Sequence, residues 1–154
     1  MLWKELNAAV AKAMQKFPPP AMLLIQLGSN DLTSIKFFDL ISDIVRDILR
    51  IKLLLPNTKV VWSNILMRRY WHGADDGTTV ERARKRVNCA VKKELIPEGF
   101  CVIRHLNIRA REKNLHRYDS THLSDAGNDI YLNNIQGALE YFPVSDKNNC
   151  FPPE

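Results

Sequence analysis

Two short polar segments hold the residue types best suited to chemistry. In one of them, Asp119 and His122 are three residues apart, just before a predicted helix. In a turn, this spacing lets the carboxylate accept a hydrogen bond from the imidazole, which fixes the tautomer and stabilises the imidazolium, as in hydrolase triads. An ordinary capping turn with an exposed histidine has the same spacing. The pair alone therefore leaves both interpretations open.

The second polar segment is the turn 28–31, which follows an apolar run at 22–27. Open α/β sheets bind ligands outside the carboxyl ends of their strands, where this turn is predicted to lie. The amide of Asn30 can donate there to a developing oxyanion. Alternatively, Asn30 hydrogen-bonds its own backbone as a turn residue. Asp31 is predicted to cap either the turn or the following helix.

Three strands and four helices are predicted to position these segments. The helices span 2–17, 33 or 34 to about 53, 79–95 and 124 or 125 to about 142, and the strands span 22–27, 59–66 and 100–104. Because strands alternate with helices, the order predicts parallel βαβ units with helices on both faces of the sheet. The predicted buried stripes include Phe38 and Leu139. The predicted fold class is α/β, with one domain over 1–142 and a flexible tail over 143–154.

The first predicted strand does not fit the edge of a three-stranded sheet. A strand as apolar as 22–27 is typical of the centre of a parallel sheet, with neighbours on both sides. With three strands it lies at an edge, where it can pair with another chain. We therefore expect that part of the sheet is missing before Met1, and that the open edge can support self-association or pairing with a partner chain.

Composition narrows the class of protein. The 154 residues are 45% hydrophobic and 25% charged, as in one globular domain. No apolar run approaches the ~18 residues that span a bilayer, and the amino terminus does not resemble a signal peptide. Three cysteines, an odd number, indicate reduced thiols and a cytoplasmic location. No metal-ligand spacing or Gly-rich phosphate loop is present, so we expect no metal and no cofactor.

The positive charge is concentrated in one part of the chain. The formal net charge is +5, and residues 80–117 contain eleven Lys and Arg against four acidic residues. Together with Arg68, Arg69, Tyr70 and Trp71 in 68–71, this segment could bind nucleic acid through phosphate contacts and stacking. A solvated helix face and loop would have the same composition. His72, His105 and His116 are predicted to be surface residues.

Both polar segments resemble conserved blocks of a known family. Gly28-Ser29-Asn30-Asp31 resembles the third block, G-x-N-D, of the SGNH (GDSL-like) esterase and lipase family, and Asp119-Ser120-Thr121-His122-Leu123-Ser124 resembles its fifth block, D-x-x-H. The order of elements through Phe142 is similar to the family's flavodoxin-like, three-layer α/β/α sandwich. The resemblance implies a serine esterase that acts on small acyl esters. It implies that His122 is the general base and acid, that Asp119 orients it, and that Asn30, in the turn with Gly28, donates to the oxyanion.

The chain also departs from the family pattern. The first block, G-D-S, which supplies the nucleophile, is not in this sequence, and no glycine precedes Gly28 to provide the second block. Ser29, Ser120 and Ser124 are poor substitutes because of their positions. The resemblance therefore implies the carboxy-terminal portion of an SGNH hydrolase without its first two strands and its nucleophile, a truncated form or pseudoenzyme. The alternative is a non-catalytic module whose basic surface binds nucleic acid or a protein partner.

Overall fold

Four parallel strands and four α-helices make up the computed structural model, which describes residues 1–144 and 149–153. In chain order, the elements are a 3₁₀ turn (Trp3–Glu5), α1 (Leu6–Met14), β1 (Met22–Ile25), α2 (Phe37–Leu54), β2 (Lys59–Ser63), α3 (Gly77–Leu95), β3 (Cys101–Ile103), a second 3₁₀ turn (Lys113–Leu115), α4 (Asp125–Tyr141) and β4 (Cys150–Phe151). The sheet order is β1-β2-β3-β4, and each neighbouring pair is parallel. No helix among the described residues is long and apolar enough to cross a membrane.

Helices cover both faces of the sheet. Successive residues of a strand point to opposite faces, so Val60 and Trp62 of β2 join a core cluster with residues of α1, α2 and α3. Val61, between them, joins a second cluster with Ala138 of α4 and Phe142. This α/β/α arrangement confirms the predicted fold class, and it directs the loops that follow β1, β2 and β3 to one end of the sheet.

β1 is an edge strand in the described sheet. It pairs with β2 alone among the described strands. Met22, Leu23 and Leu24 are half-buried, and Ile25 is buried. The apolar run at 22–27 therefore lies at an edge of the described sheet, where the three predicted strands place it. It does not lie at the centre of the sheet, which is the position typical of a strand this apolar.

The fourth strand is absent from the sequence prediction. β4 pairs in parallel with β3, where Val102 N–H donates to Asn149 O and Arg104 N–H donates to Phe151 O, both at 2.7 Å. A two-residue strand carries too little hydrophobic pattern to be recognised. The predicted flexible tail, 143–154, thus includes residues that extend the sheet, whereas its residues 145–148 lie outside the described residues.

Some predicted helix positions differ from the structure. α2 begins at Phe37, because the carbonyl of Asp31 first accepts the N–H groups of Ser34 and Ile35 in a separate turn. Phe38 and Leu139, predicted to be buried, are 69% and 39% exposed. The start of α4 agrees with the prediction, since the Oγ of its N-cap, Ser124, accepts the N–H of Gly127 at 3.2 Å.

The amino-terminal turn is anchored to the loop after β1. The N–H of Trp3 donates to both carboxylate oxygens of Asp31 at 3.1 Å, and its indole Nε1 donates to Asp47 Oδ2 at 2.9 Å. The Trp3 ring meets Trp62 edge to face, with 5.9 Å between ring centroids. Burial raises the pKa of Asp31, and the hydrogen bond from Trp3 opposes that shift. The side chain of Asp31 therefore joins the amino terminus to the loop that carries Asn30.

Candidate active site

Gly28 shapes the turn at the carboxyl end of β1. Its φ of 100° lies in the region that favours glycine. A Cβ at this position would lie 3.1 Å from Cδ1 of Ile65, which is closer than an ordinary van der Waals contact. The glycine therefore lets the chain turn directly against the core, and Ser29 and Asn30 follow at this end of the sheet.

Asn30 is held by an arginine from another loop. Nη2 of Arg68 donates to Oδ1 of Asn30 at 3.0 Å and to Oγ of Ser29 at 2.9 Å. These contacts use the amide oxygen of Asn30, while its Nδ2 has no hydrogen-bond acceptor among the described residues. The amide nitrogen is thus available as a donor, which is the property that the predicted oxyanion role requires.

Asp119 and His122 form a hydrogen-bonded pair in the turn before α4. Oδ2 of Asp119 lies 2.7 Å from Nδ1 of His122, and Oδ1 accepts the N–H groups of Thr121 and His122 at 2.9 and 3.0 Å. The imidazole contact and these two N–H groups hold the pKa of the Asp119 carboxyl well below its usual range. With Nδ1 on the carboxylate, Nε2 of His122 has no hydrogen-bond partner in the part of the chain that the structure describes.

Backbone hydrogen bonds join this turn to the loop after β2. Ser120, with a positive φ of 58°, presents its carbonyl to the N–H groups of Arg69 and Tyr70 at 3.0 and 2.9 Å. Oγ1 of Thr121 donates to the carbonyl of Tyr70 at 3.2 Å. The Asp119–His122 turn and the Arg68 loop are therefore fixed relative to each other.

A cavity of about 290 Å³ lies where these loops meet. It is lined by Gln26, Ser29, Leu66, Met67, Arg68, Arg117, Thr121, His122, Leu123 and Asn128. The structure thus brings the end of β1 and the Asp119–His122 turn to one cavity, through Ser29 and His122. Gly28 and Asn30 lie beside the lining residues of that cavity and do not belong to them.

Arg68 is the cavity residue whose position the sequence did not reveal. The sequence predicts Arg68 as part of a basic and aromatic surface segment, 68–71. In the structure its side chain is half-buried, and its guanidinium lies 5.3 Å from the ring centroid of Trp71. Burial lowers the pKa of Arg68, and the charge of Asp119 opposes that shift. Trp71 is itself 4% exposed. The sequence R-R-Y-W indicates a basic segment, but it does not indicate that the side chain of Arg68 points inward.

A second serine–histidine contact lies between β2 and α4. Oγ of Ser63 is 2.8 Å from Nε2 of His105, and Nδ2 of Asn134 is 3.1 Å from Nδ1 of the same ring. The ring of Tyr131 stacks nearby, with 5.0 Å between centroids. Because Ser63 is fully buried, a substrate cannot reach its hydroxyl. His105 is half-buried, because Asn134 and Tyr131 of α4 lie against its ring, so its predicted surface position is wrong in part. This burial lowers the pKa of His105 to about 4.

The other two histidines lie outside the cavity. His116 is 6% exposed, because it forms an antiparallel bridge with Leu123 and packs below the surface, so its predicted surface position is also wrong. His72 is exposed, as predicted. Among the described residues, no group of three or more His, Cys, Asp or Glu side chains is placed to hold a metal ion.

Comparison with known proteins bears on the fold. No protein-family model matches the sequence, and no curated protein matches it either. Among solved structures, the chain is similar to the crystal structure of a GDSL-like lipase from Bacteroides thetaiotaomicron, with a TM-score of 0.70 and 14% sequence identity. The match covers 90% of this chain and 68% of that one. This chain therefore has the α/β fold of a GDSL-like hydrolase structure.

Proposed function

We propose that this chain carries the acid–base half of an SGNH-type acyl-ester hydrolase site and is inactive on ordinary esters by itself. The observation that carries the proposal is the 2.7 Å contact between Asp119 Oδ2 and His122 Nδ1, on a cavity that the end of β1 also lines. The likeness of the fold to a GDSL-like lipase supports the same reaction class.

Each site residue has a role that follows from its contacts. Asp119 holds the ring of His122 so that Nε2 takes a proton from an attacking hydroxyl and later returns it to the leaving alcohol. Asn30, whose amide oxygen is fixed by Arg68, donates through Nδ2 to the oxyanion of the tetrahedral intermediate. Gly28 supplies the sharp turn that brings Asn30 to this end of the sheet.

The nucleophile is not supplied by Asp119, His122, Asn30 or Gly28. Oγ of Ser29 accepts a hydrogen bond from Arg68, and Oγ of Ser124 caps α4. No described serine hydrogen-bonds Nε2 of His122. Removal of the nucleophile from a triad enzyme costs on the order of 10⁶ in kcat. A complete enzyme would thus need a serine from elsewhere, and this chain would only assist attack by water on reactive esters.

The test is hydrolysis of p-nitrophenyl acetate, which releases a coloured product. We expect the wild-type rate to be about 10⁵- to 10⁶-fold below that of a complete triad esterase. His122→Ala and Asp119→Asn should lower the residual rate, because both remove base assistance. His72→Ala is the matched control, since His72 is exposed and lies outside the cavity; its rate should equal the wild-type rate.

Two outcomes would contradict the proposal. A burst of p-nitrophenol equal to the enzyme concentration would reveal an acyl-enzyme, and loss of that burst in Ser29→Ala would identify Ser29 as the nucleophile. Equal residual rates in wild type and His122→Ala would show that the Asp119–His122 pair takes no part in ester hydrolysis.

Nucleic-acid binding by the basic surface is the second candidate function. The observation that favours it is the exposure of Arg82, Lys85 and Arg86 on α3. Arg84, between them, is instead paired with Glu81 at 2.6 Å. We expect binding of single-stranded RNA that weakens steeply as salt rises, because each phosphate contact releases a counterion. Undetectable binding at about 50 mM salt, or binding that does not change with salt, would exclude this function.

A further inference from the structure

We propose that the cavity beside His122 binds a small oxyanion, such as a phosphate or carboxylate group, between Arg68 and Arg117. Both residues line that cavity, together with Ser29. The proposal concerns binding of the anion; its further assignment to the substrate rests on the proposed ester-hydrolase function.

Arg68 is a half-buried cation that contacts only neutral acceptors among the described residues. Its Nη2 donates to Ser29 Oγ and Asn30 Oδ1, at 2.9 and 3.0 Å. The ion pairs of the described residues do not include Arg68. A charge removed from water without a paired opposite charge is costly, and the lowered pKa of Arg68 reflects that burial. An anion in the cavity would supply the missing charge.

The nearby acid is not available to neutralise Arg68. Asp119 is close enough for its charge to act on Arg68. However, its Oδ1 accepts the N–H groups of Thr121 and His122, and its Oδ2 accepts from the imidazole of His122. Both oxygens of the carboxylate are therefore occupied by other donors, and Arg68 keeps donors that face no carboxylate of the described residues.

Arg117 is a second arginine that lines the same cavity. Its side chain is exposed and has no hydrogen-bond partner among the described residues, although its backbone N–H donates to the carbonyl of His122 at 2.9 Å. A guanidinium presents planar pairs of N–H donors that match the oxygens of carboxylate and phosphate groups. The volume of about 290 Å³ suits a small anion or the anionic group of a small ester.

The geometry also fits an ester that carries its own negative charge. The anionic group of such an ester would bind between Arg68 and Arg117, in the cavity that His122 also lines. The ester bond of the same molecule could then lie next to Nε2 of His122. The proposed hydrolase site would then favour anionic acyl esters over neutral ones. This selectivity is the part of the inference that depends on ester hydrolysis.

The test is isothermal titration of the chain with inorganic phosphate and, separately, with acetate, at fixed ionic strength. We expect saturable binding of at least one anion, with Kd below about 10 mM. The anion that binds more tightly identifies the source, phosphate or carboxylate. Arg68→Gln and Arg117→Gln should each weaken that binding about tenfold or more, as expected for charge-assisted hydrogen bonds. Arg50→Gln is the matched control, because it removes the same charge from an exposed position on α2; its Kd should stay within about twofold.

The variants separate a lost site from a lost fold. Arg117 is exposed, so Arg117→Gln should fold like the wild type and tests the site even if Arg68→Gln unfolds. Equal losses in Arg117→Gln and Arg50→Gln, or no saturable binding of either anion, would overturn the proposal. Anion binding without any base-assisted ester hydrolysis would preserve the anion site and remove the proposed function. Ester hydrolysis without anion binding would preserve the proposed function and remove the anion site.

Discussion

Acidification from pH 7 to pH 4 is expected to destabilise the fold through His105. The ring lies between β2 and α4, in contact with Ser63 and Asn134, and burial lowers its pKa from 6.5 to about 4. In the unfolded chain, the same imidazole would take up a proton near pH 6.5. Between these two values the unfolded state binds more protons than the folded state, so stability falls as the pH falls.

The magnitude follows from the difference between the two pKa values. Each unit corresponds to 1.36 kcal/mol, so a shift from 6.5 to about 4 amounts to roughly 3 kcal/mol. This contribution is fully present above about pH 6.5 and is lost by about pH 4, below which it changes no further. For a domain of ordinary stability, ~5–15 kcal/mol, the loss would be readily measured.

Urea unfolding at pH 7, 5 and 4 measures the effect. Carboxylates also titrate in this range, so the informative quantity is the difference between wild type and His105→Gln, whose amide does not titrate. Wild type should lose about 3 kcal/mol more than this variant between pH 7 and pH 4. His72→Gln replaces an exposed histidine and should follow the wild type. Equal pH dependence in wild type and His105→Gln would refute the reasoning, as would an NMR titration midpoint near 6.5 for His105.

Two further substitutions test packing around the site. Gly127→Ala would drive a Cβ into the backbone carbonyl of Leu115 and should reduce the free energy of unfolding by about 1–3 kcal/mol. Its control is Gly77→Ala, where the Cβ has only ordinary contacts and the free energy of unfolding should change by less than about 1 kcal/mol. Similar urea midpoints for the two variants would contradict this expectation. Trp3→Phe keeps a ring in place but removes the donor to Asp47, which should cost about 1–3 kcal/mol in the same assay; an unchanged midpoint would show that this hydrogen bond contributes nothing.

Features with a local cause could be predicted from the sequence. β2 was predicted from a β-branched run bounded by turn residues, and Val60 and Val61 of that run are buried on opposite faces of the sheet. The contact between Asp119 and His122 depends on a spacing of three residues within one turn, so both its existence and its position before α4 were foreseeable. Short-range chemistry of this kind does not depend on how the rest of the chain packs.

Features that depend on distant contacts could not be predicted. The inward side chain of Arg68 is set by acceptors from another loop, Ser29 and Asn30, which lie far from it in the sequence. The local sequence of His105 is that of a loop residue, and contacts from Asn134 and Tyr131 of α4 make its ring half-buried. β4 exists because the carbonyls of Asn149 and Phe151 accept hydrogen bonds from β3, although the segment has no strand pattern of its own. In each case, the deciding partner lies on a different element, where neither periodicity nor turn chemistry carries information.

The hydrogen bonds from Trp3 to Asp31 have a practical consequence for protein engineering. They hold the amino terminus beside the loop that carries Ser29 and Asn30. A peptide fused ahead of Met1 would therefore begin two residues from a backbone N–H that is bound to the loop after β1, and it could disturb that loop. A tag beyond β4, at the opposite edge of the sheet, would leave the cavity open.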